Sequence, residues 1–148
     1  MANRNQICQP ERVSTCPGVL FGRPSILQLN IEGLTAGKMN VVHHLATRLE
    51  ALVIIIQEIH CTSAEKLVLT NYKLAGSSLS RKHRLATFVH ERLEWTLHDQ
   101  SPLTSETEWL CVDVDGYKIV NIYKPETSTN TFANIRLSSV FSPLSTCG

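Results

Sequence analysis

The sequence predicts an α/β domain with a mixed sheet and flanking helices, and three observations point there. Leu52 to Ile56 is a β-branched apolar run of strand length without polar alternation, the pattern of a central strand covered on both faces. It is preceded by an amphipathic helical stripe, and before that by another short apolar strand, Ile26 to Ile31. Strand, helix and strand within about 35 residues make a βαβ unit. Further along, Asp115-Gly116 separates two alternating segments, Trp109 to Val114 and Tyr117 to Tyr123, as a hairpin turn does.

Each element has its own local reason. Glu32 and Gly33 end the first strand, and Gly37 is expected to open the loop after it. Met39, Val42, Leu45, Ala46, Leu49 and Leu52 recur at helical spacing, which predicts a helix of about 14 residues. Thr62 and Glu65 have the spacing of a capping box, predicting a short helix through Leu69. Tyr72 to Leu74 reads as a small strand, Gly76 to Ser80 as a loop, Leu85 to Val89 and Trp95 to Leu97 as strands. Gln100 to Thr107, polar and containing Pro102, reads as a loop, and Lys124-Pro125 stops the last strand. The proline- and glycine-bearing stretch 1–24 is expected to be a flexible leader, 25–126 the ordered domain and 127–148 a polar, frayed tail.

Composition narrows the function classes. Of 148 residues, 43% are hydrophobic and 18% charged, which suits a folded domain. The longest apolar run is too short to cross a bilayer, so no membrane role is expected. Fourteen basic against thirteen acidic side chains give no global attraction to nucleic acid, so such binding needs a local patch. Arg81, Lys82, His83 and Arg84 supply one. Five scattered cysteines with no CxxC pair and no secretory signal predict reduced thiols, an intracellular setting and no zinc site. The nucleus and the cytoplasm are not distinguished. There is no phosphate-binding P-loop, dinucleotide fingerprint, nucleophile elbow or HExxH pair.

The candidate chemistry sits at strand ends, where α/β folds place ligands. Glu58 follows the buried run through Gln57, so its carboxylate is either an ordinary exposed acid or a ligand for Mg²⁺ or Mn²⁺. Asn30 lies in the first strand, and its amide needs a partner if buried. Glu32 shares its face if the strand persists that far. Tyr123 ends the last strand and is either a rim residue or a donor to phosphate, with Asn121 on the same face. His60 follows Glu58 by two. His43-His44 are helical neighbours that cannot face one another.

Three strings, Ile26-Leu27-Gln28-Leu29-Asn30-Ile31-Glu32-Gly33, Ile54-Ile55-Ile56-Gln57-Glu58 and Ile119-Val120-Asn121-Ile122-Tyr123-Lys124-Pro125, resemble in order and separation three motifs of the endonuclease/exonuclease/phosphatase superfamily. The resemblance spans Ser25 to Glu126 and is nearest to the endonuclease domains of non-LTR (LINE-type) retrotransposons and sequences derived from them. It implies the N-terminal half of a four-layered α/β sandwich, DNase I-like, and hydrolysis of phosphate esters with Mg²⁺ or Mn²⁺. It also implies roles: Asn30 and Tyr123 beside the scissile phosphate, Glu58 as principal metal ligand, and Glu32 as a second acid. Arg84 stands where the family usually has glycine, which is expected to disturb a tight turn.

The family's later Gly-Asp-Phe-Asn and Asp-His elements are not found, and Phe132 to Gly148 holds no Asp, Glu or His. The resemblance therefore implies a truncated, retrotransposon-derived hydrolase domain that is inactive alone. Loss of even one positioned group can cost about 3 kcal/mol of barrier. Two alternatives stay open: an endonuclease completed by a partner chain or self-association, and a non-enzymatic interaction domain. Without its second half, the sheet is expected to leave the Leu52 to Ile56 strand wet on one face or an edge open.

Overall fold

The structure, a computed structural model, describes residues 24–125; the expectations for the leader and the tail lie outside the described residues. The chain runs β1 (Ile26–Asn30), α1 (Ala36–Arg48), β2 (Val53–Gln57), a 3₁₀ turn (Ala64–Lys66), β3 (Tyr72–Ser77), β4 (Ala86–His90), β5 (Trp95–Gln100), β6 (Glu108–Val114) and β7 (Tyr117–Tyr123). Two sheets form, in the orders β1-β2-β4-β3 and β5-β6-β7. β1 and β2 are parallel, as the βαβ reading requires, and every other pair is antiparallel. The domain is thus mixed α/β with two sheets and, among the described residues, one α-helix.

β2 shows why its sequence lacks polar alternation. All five of its residues are buried. Ile54 and Ile56 pack with Met39, Val42 and Ala46 of α1, while Val53 and Ile55 pack with Val112, Val114 and Ile119 of the second sheet. The expectation of a wet face is therefore corrected. The β5-β6-β7 sheet, built from the chain's own hairpins, covers the face opposite α1. Among the described residues strand edges do remain, with β1 and β7 each at the border of its sheet.

Local chemistry moved several boundaries. α1 starts earlier than its apolar stripe, because the Thr35 hydroxyl accepts a hydrogen bond from Lys38 N at 3.2 Å and caps the helix. Gly37 therefore lies inside the first turn. The helix stops at Arg48, whose charge suits a C-terminus. Leu49 is exposed and Leu52 belongs to the entry of β2. The cap after β2 is Ser63 rather than Thr62, and it opens only a 3₁₀ turn. β3 extends through Gly76, where the register shifts by a bulge. A Cβ on Gly76 would lie 3.0 Å from Leu97 Cδ1, so glycine there lets the two sheets approach. β5 runs on to Gln100, also through a register shift. Asp115 (φ 45°) and Gly116 (φ 83°) both take the left-handed conformation of a tight hairpin turn.

Candidate functional site

The site is set by the C-terminal ends of the two parallel strands. Asn30 pairs with Gln57 as the last step of the β1–β2 ladder. The pairing continues past the strands: Ile31 N donates to Gln57 O (3.1 Å), Gly33 N to Glu58 O (2.7 Å) and Leu34 N to Ile59 O (2.8 Å). Lys38 Nζ reaches back from α1 to the carbonyls of Ile31 (2.6 Å) and Glu32 (3.0 Å). The loops after β1 and β2 are thereby fixed side by side.

Within this frame Asn30 Oδ1 accepts from Glu32 N at 3.2 Å, which leaves the amide nitrogen to donate to the Glu58 carboxylate. The Tyr123 hydroxyl donates to the same carboxylate from the end of β7. The Glu58 side chain is 18% exposed, open at one side to solvent. The Tyr123 and Asn30 hydrogen bonds hold its carboxyl below the usual range against the opposing effect of burial, with smaller help from the charges of His83 and His60. His60 Nε2 lies 3.9 Å from the carboxylate. Three residues singled out in the sequence, Asn30, Glu58 and Tyr123, therefore meet.

Because the Glu58 carboxyl is depressed on folding, its contribution to stability is present above its unfolded value. That contribution is lost as pH falls through the lower folded value. Tyr123→Phe is expected to move the carboxyl back upward, and Asn30→Ala to do so by a smaller amount. Carboxyl ¹³C titration of Glu58 in each variant checks the order.

Glu32 is placed differently from expectation. β1 ends at Asn30 and Glu32 is exposed with φ 45°, so strand alternation no longer carries its side chain to the Asn30 face. Its backbone N–H, rather than its carboxylate, joins the network. The basic cluster also divides. Arg81 is 8% exposed, with its guanidinium donating to the carbonyls of Pro102 (2.6 Å) and Ser105. Arg84 Nε donates to Leu79 O at 3.0 Å. Lys82 is exposed, so of these three cations it is the one presented to solvent. A cleft of about 460 Å³ lies beside this loop, lined by Lys82, His83, Leu103, Glu106 and Pro125 among others.

Four non-glycine residues around the site have positive φ: Glu32 (45°), Glu58 (54°), His60 (47°) and Arg84 (62°). Such geometry costs roughly 1–3 kcal/mol each and persists only where the surroundings impose it. At Arg84 the backbone takes the conformation that a glycine adopts freely, and β4 still follows it. Arg84→Gly is expected to raise stability by about 0.5–1 kcal/mol, the loss of the Leu79 contact being outweighed by relief at the backbone. Urea unfolding would show this as a higher midpoint.

Glu108 was not singled out from the sequence. Its side chain is 2% exposed and accepts from His83 N (2.8 Å), Arg84 N (2.9 Å) and Ser78 Oγ (3.4 Å). A signal did exist: counting back from the Asp115-Gly116 turn pairs Glu108 with Tyr123. Directly paired residues share a face, here the inner one that carries Leu110 and Val112.

Among the described residues no group of three His, Cys, Asp or Glu side chains converges as an enclosed metal cage would need; His43 and His44 form none on α1. Among the described residues no helix is long and apolar enough to cross a membrane. No protein-family model and no curated protein matches the sequence. Fold and site together define an α/β two-sheet domain with an acid, amide and phenol cluster at one end.

Proposed function

We propose that this domain is a nuclease-like phosphate-ester-binding unit of the endonuclease/exonuclease/phosphatase type, related to the N-terminal half of the DNase I-like sandwich. The observation that carries the reading is the convergence of Asn30 and Tyr123 on the charged Glu58 carboxylate at the ends of β1 and β7. Mg²⁺ commonly binds through one or two carboxylates plus waters and substrate phosphate oxygens, so a single acid held ionised fits it, or Mn²⁺, better than a structural metal. Glu58 would hold the ion. Such an ion, when bound, neutralises charge on a phosphodiester. The chain's residues keep Glu58 ionised, orient it through two donors, and leave its outer side open to a ligand. DNA would meet Lys82 beside this opening, while Arg81 and Arg84 shape the loop rather than grip phosphates.

Among the described residues, no aspartate accompanies Glu58 to deprotonate an attacking water, which favours binding without efficient turnover. In a supercoiled-plasmid nicking assay the expected result is little or no Mg²⁺-dependent nicking by the purified chain, alongside Mg²⁺-dependent retention of an oligonucleotide that Glu58→Ala abolishes. Retention unaffected by Glu58→Ala and by chelation would overturn the reading.

A second reading, an endonuclease completed by another chain or a second copy, is favoured by one feature. Among the described residues, β1 and β7, which carry Asn30 and Tyr123, both border their sheets. A strand added there would bring new side chains next to the cluster. It requires nicking that rises steeply with protein concentration or appears on adding the partner. A purely interacting domain would keep its partner after Glu58→Ala.

A further inference from the structure

We propose that His83 is a phosphate-binding residue of this site and that Glu108 is the positioning residue that holds it there; this rests on the phosphate-site reading above. His83 lies on the loop between β3 and β4, with its ring centroid 4.7 Å from that of Tyr123 and the planes inclined by 37°. Like His60, it acts to lower the Glu58 carboxyl. The Tyr123 proton is given to Glu58, so the imidazole beside it supplies the N–H donor that a phosphate oxygen at this opening would accept.

The loop is built to hold this arrangement. The two oxygens of the buried Glu108 carboxylate take the backbone N–H groups of His83 and Arg84, one each. Ser78 adds its hydroxyl to Glu108 and accepts from Leu85 N at 2.8 Å, tying the loop's two stems together. Ile59 N donates to Arg84 O at 3.2 Å, joining the loop to the segment that carries Glu58 and His60. Burying a carboxylate is unfavourable unless its hydrogen bonds are made. Here they are made to the backbone N–H groups on either side of the His83 Cα, not to a cation. Glu108 also lies directly across the β6–β7 ladder from Tyr123, so one register fixes both the ring and the anchor of its neighbour.

The test is inorganic phosphate binding by calorimetry, with side-chain NMR of the histidines, in two arms: wild type with Mg²⁺, and Glu58→Gln without Mg²⁺. The second arm removes the carboxylate that would repel phosphate, so it reports on His83 even if no cation binds. In both arms phosphate is expected to shift the His83 imidazole signals, and His83→Gln to weaken binding about tenfold. Glu108→Gln is expected to weaken it in the same sense, with no further loss in the double variant. Equal phosphate affinity with and without His83→Gln, additive losses in the double variant, or no phosphate binding in either arm would overturn the proposal. Should Glu108→Gln not fold, His83→Gln alone decides. Failure of Mg²⁺ to bind wild type, with His83-dependent phosphate binding intact in the second arm, would count against the cation site and not against His83.

Discussion

Glu108→Ala is expected to destabilise the domain by about 3–5 kcal/mol, since hydrogen bonds to a charged group are worth roughly 1.5–3 kcal/mol each and two well-formed ones are lost. The truncation leaves His83 N, Arg84 N and Ser78 Oγ facing a space that the carboxylate had filled. Relief of the carboxylate's own desolvation offsets part of this, but donors left unpaired in the interior keep the balance unfavourable. Glu108→Gln should fall between, because the amide oxygen still accepts while its nitrogen cannot. A domain of ordinary stability holds about 5–15 kcal/mol, so alanine here removes a large share. Denaturant unfolding is the measurement: the midpoint should drop with little change in slope. A change under about 1 kcal/mol would mean that the loop holds its shape without this anchor.

Asn121→Leu is expected to cost about 2–4 kcal/mol, the loss of several interior hydrogen bonds at about 1 kcal/mol each plus the penalty for orphaned groups. Asn121 is 1% exposed on the inner face of β7. Its Nδ2 donates to Ala86 O (3.1 Å), Ile56 O (3.3 Å) and Thr87 Oγ1 (3.4 Å), and its Oδ1 accepts from Gln57 Nε2 (3.3 Å). Gln57 answers by donating to Ile122 O at 2.7 Å. This is a polar rivet between two sheets whose other inner-face contacts are mostly apolar. Asn121 sits two residues before Tyr123 and its partner Gln57 one before Glu58, so loosening the pair should also let the phenol drift from the carboxylate. The expected signature is a lower unfolding midpoint together with an upward move of the Glu58 carboxyl. An unchanged midpoint would show that apolar packing alone sets the distance between the sheets.

What the sequence revealed and concealed divides by the range of the interactions. The β2 run, the α1 stripe and the Asp115-Gly116 turn are local patterns, and each names its element. The nearness of Asn30 and Glu58 was legible because strand ends converge by topology: once β1 and β2 are parallel neighbours, the two must be close, whereas Tyr123, on the other sheet, was tied to them only by the family resemblance. The misplacements have non-local causes. Arg81 reads as a free cation until the 102–105 turn folds back to offer it two carbonyls. Glu32 reads as an acid on the Asn30 face until its positive φ turns the chain. Glu108, beside a polar loop, resembles any exposed acid, and only the hairpin register places it inside. The open sheet face foreseen from the missing motifs did not materialise, because the chain's own antiparallel strands close over β2.

The most direct test of the central claim is Mn²⁺ titration of isotope-labelled protein, followed by paramagnetic broadening. The expected result is that the Glu58 carboxyl, the Asn30 side-chain amide and the Tyr123 ring broaden first and together, and that Glu58→Gln removes the effect at the same ion concentration. Broadening spread over outlying acids such as Glu50 and Glu91, or surviving Glu58→Gln unchanged, would contradict a cation site at the ends of β1 and β2.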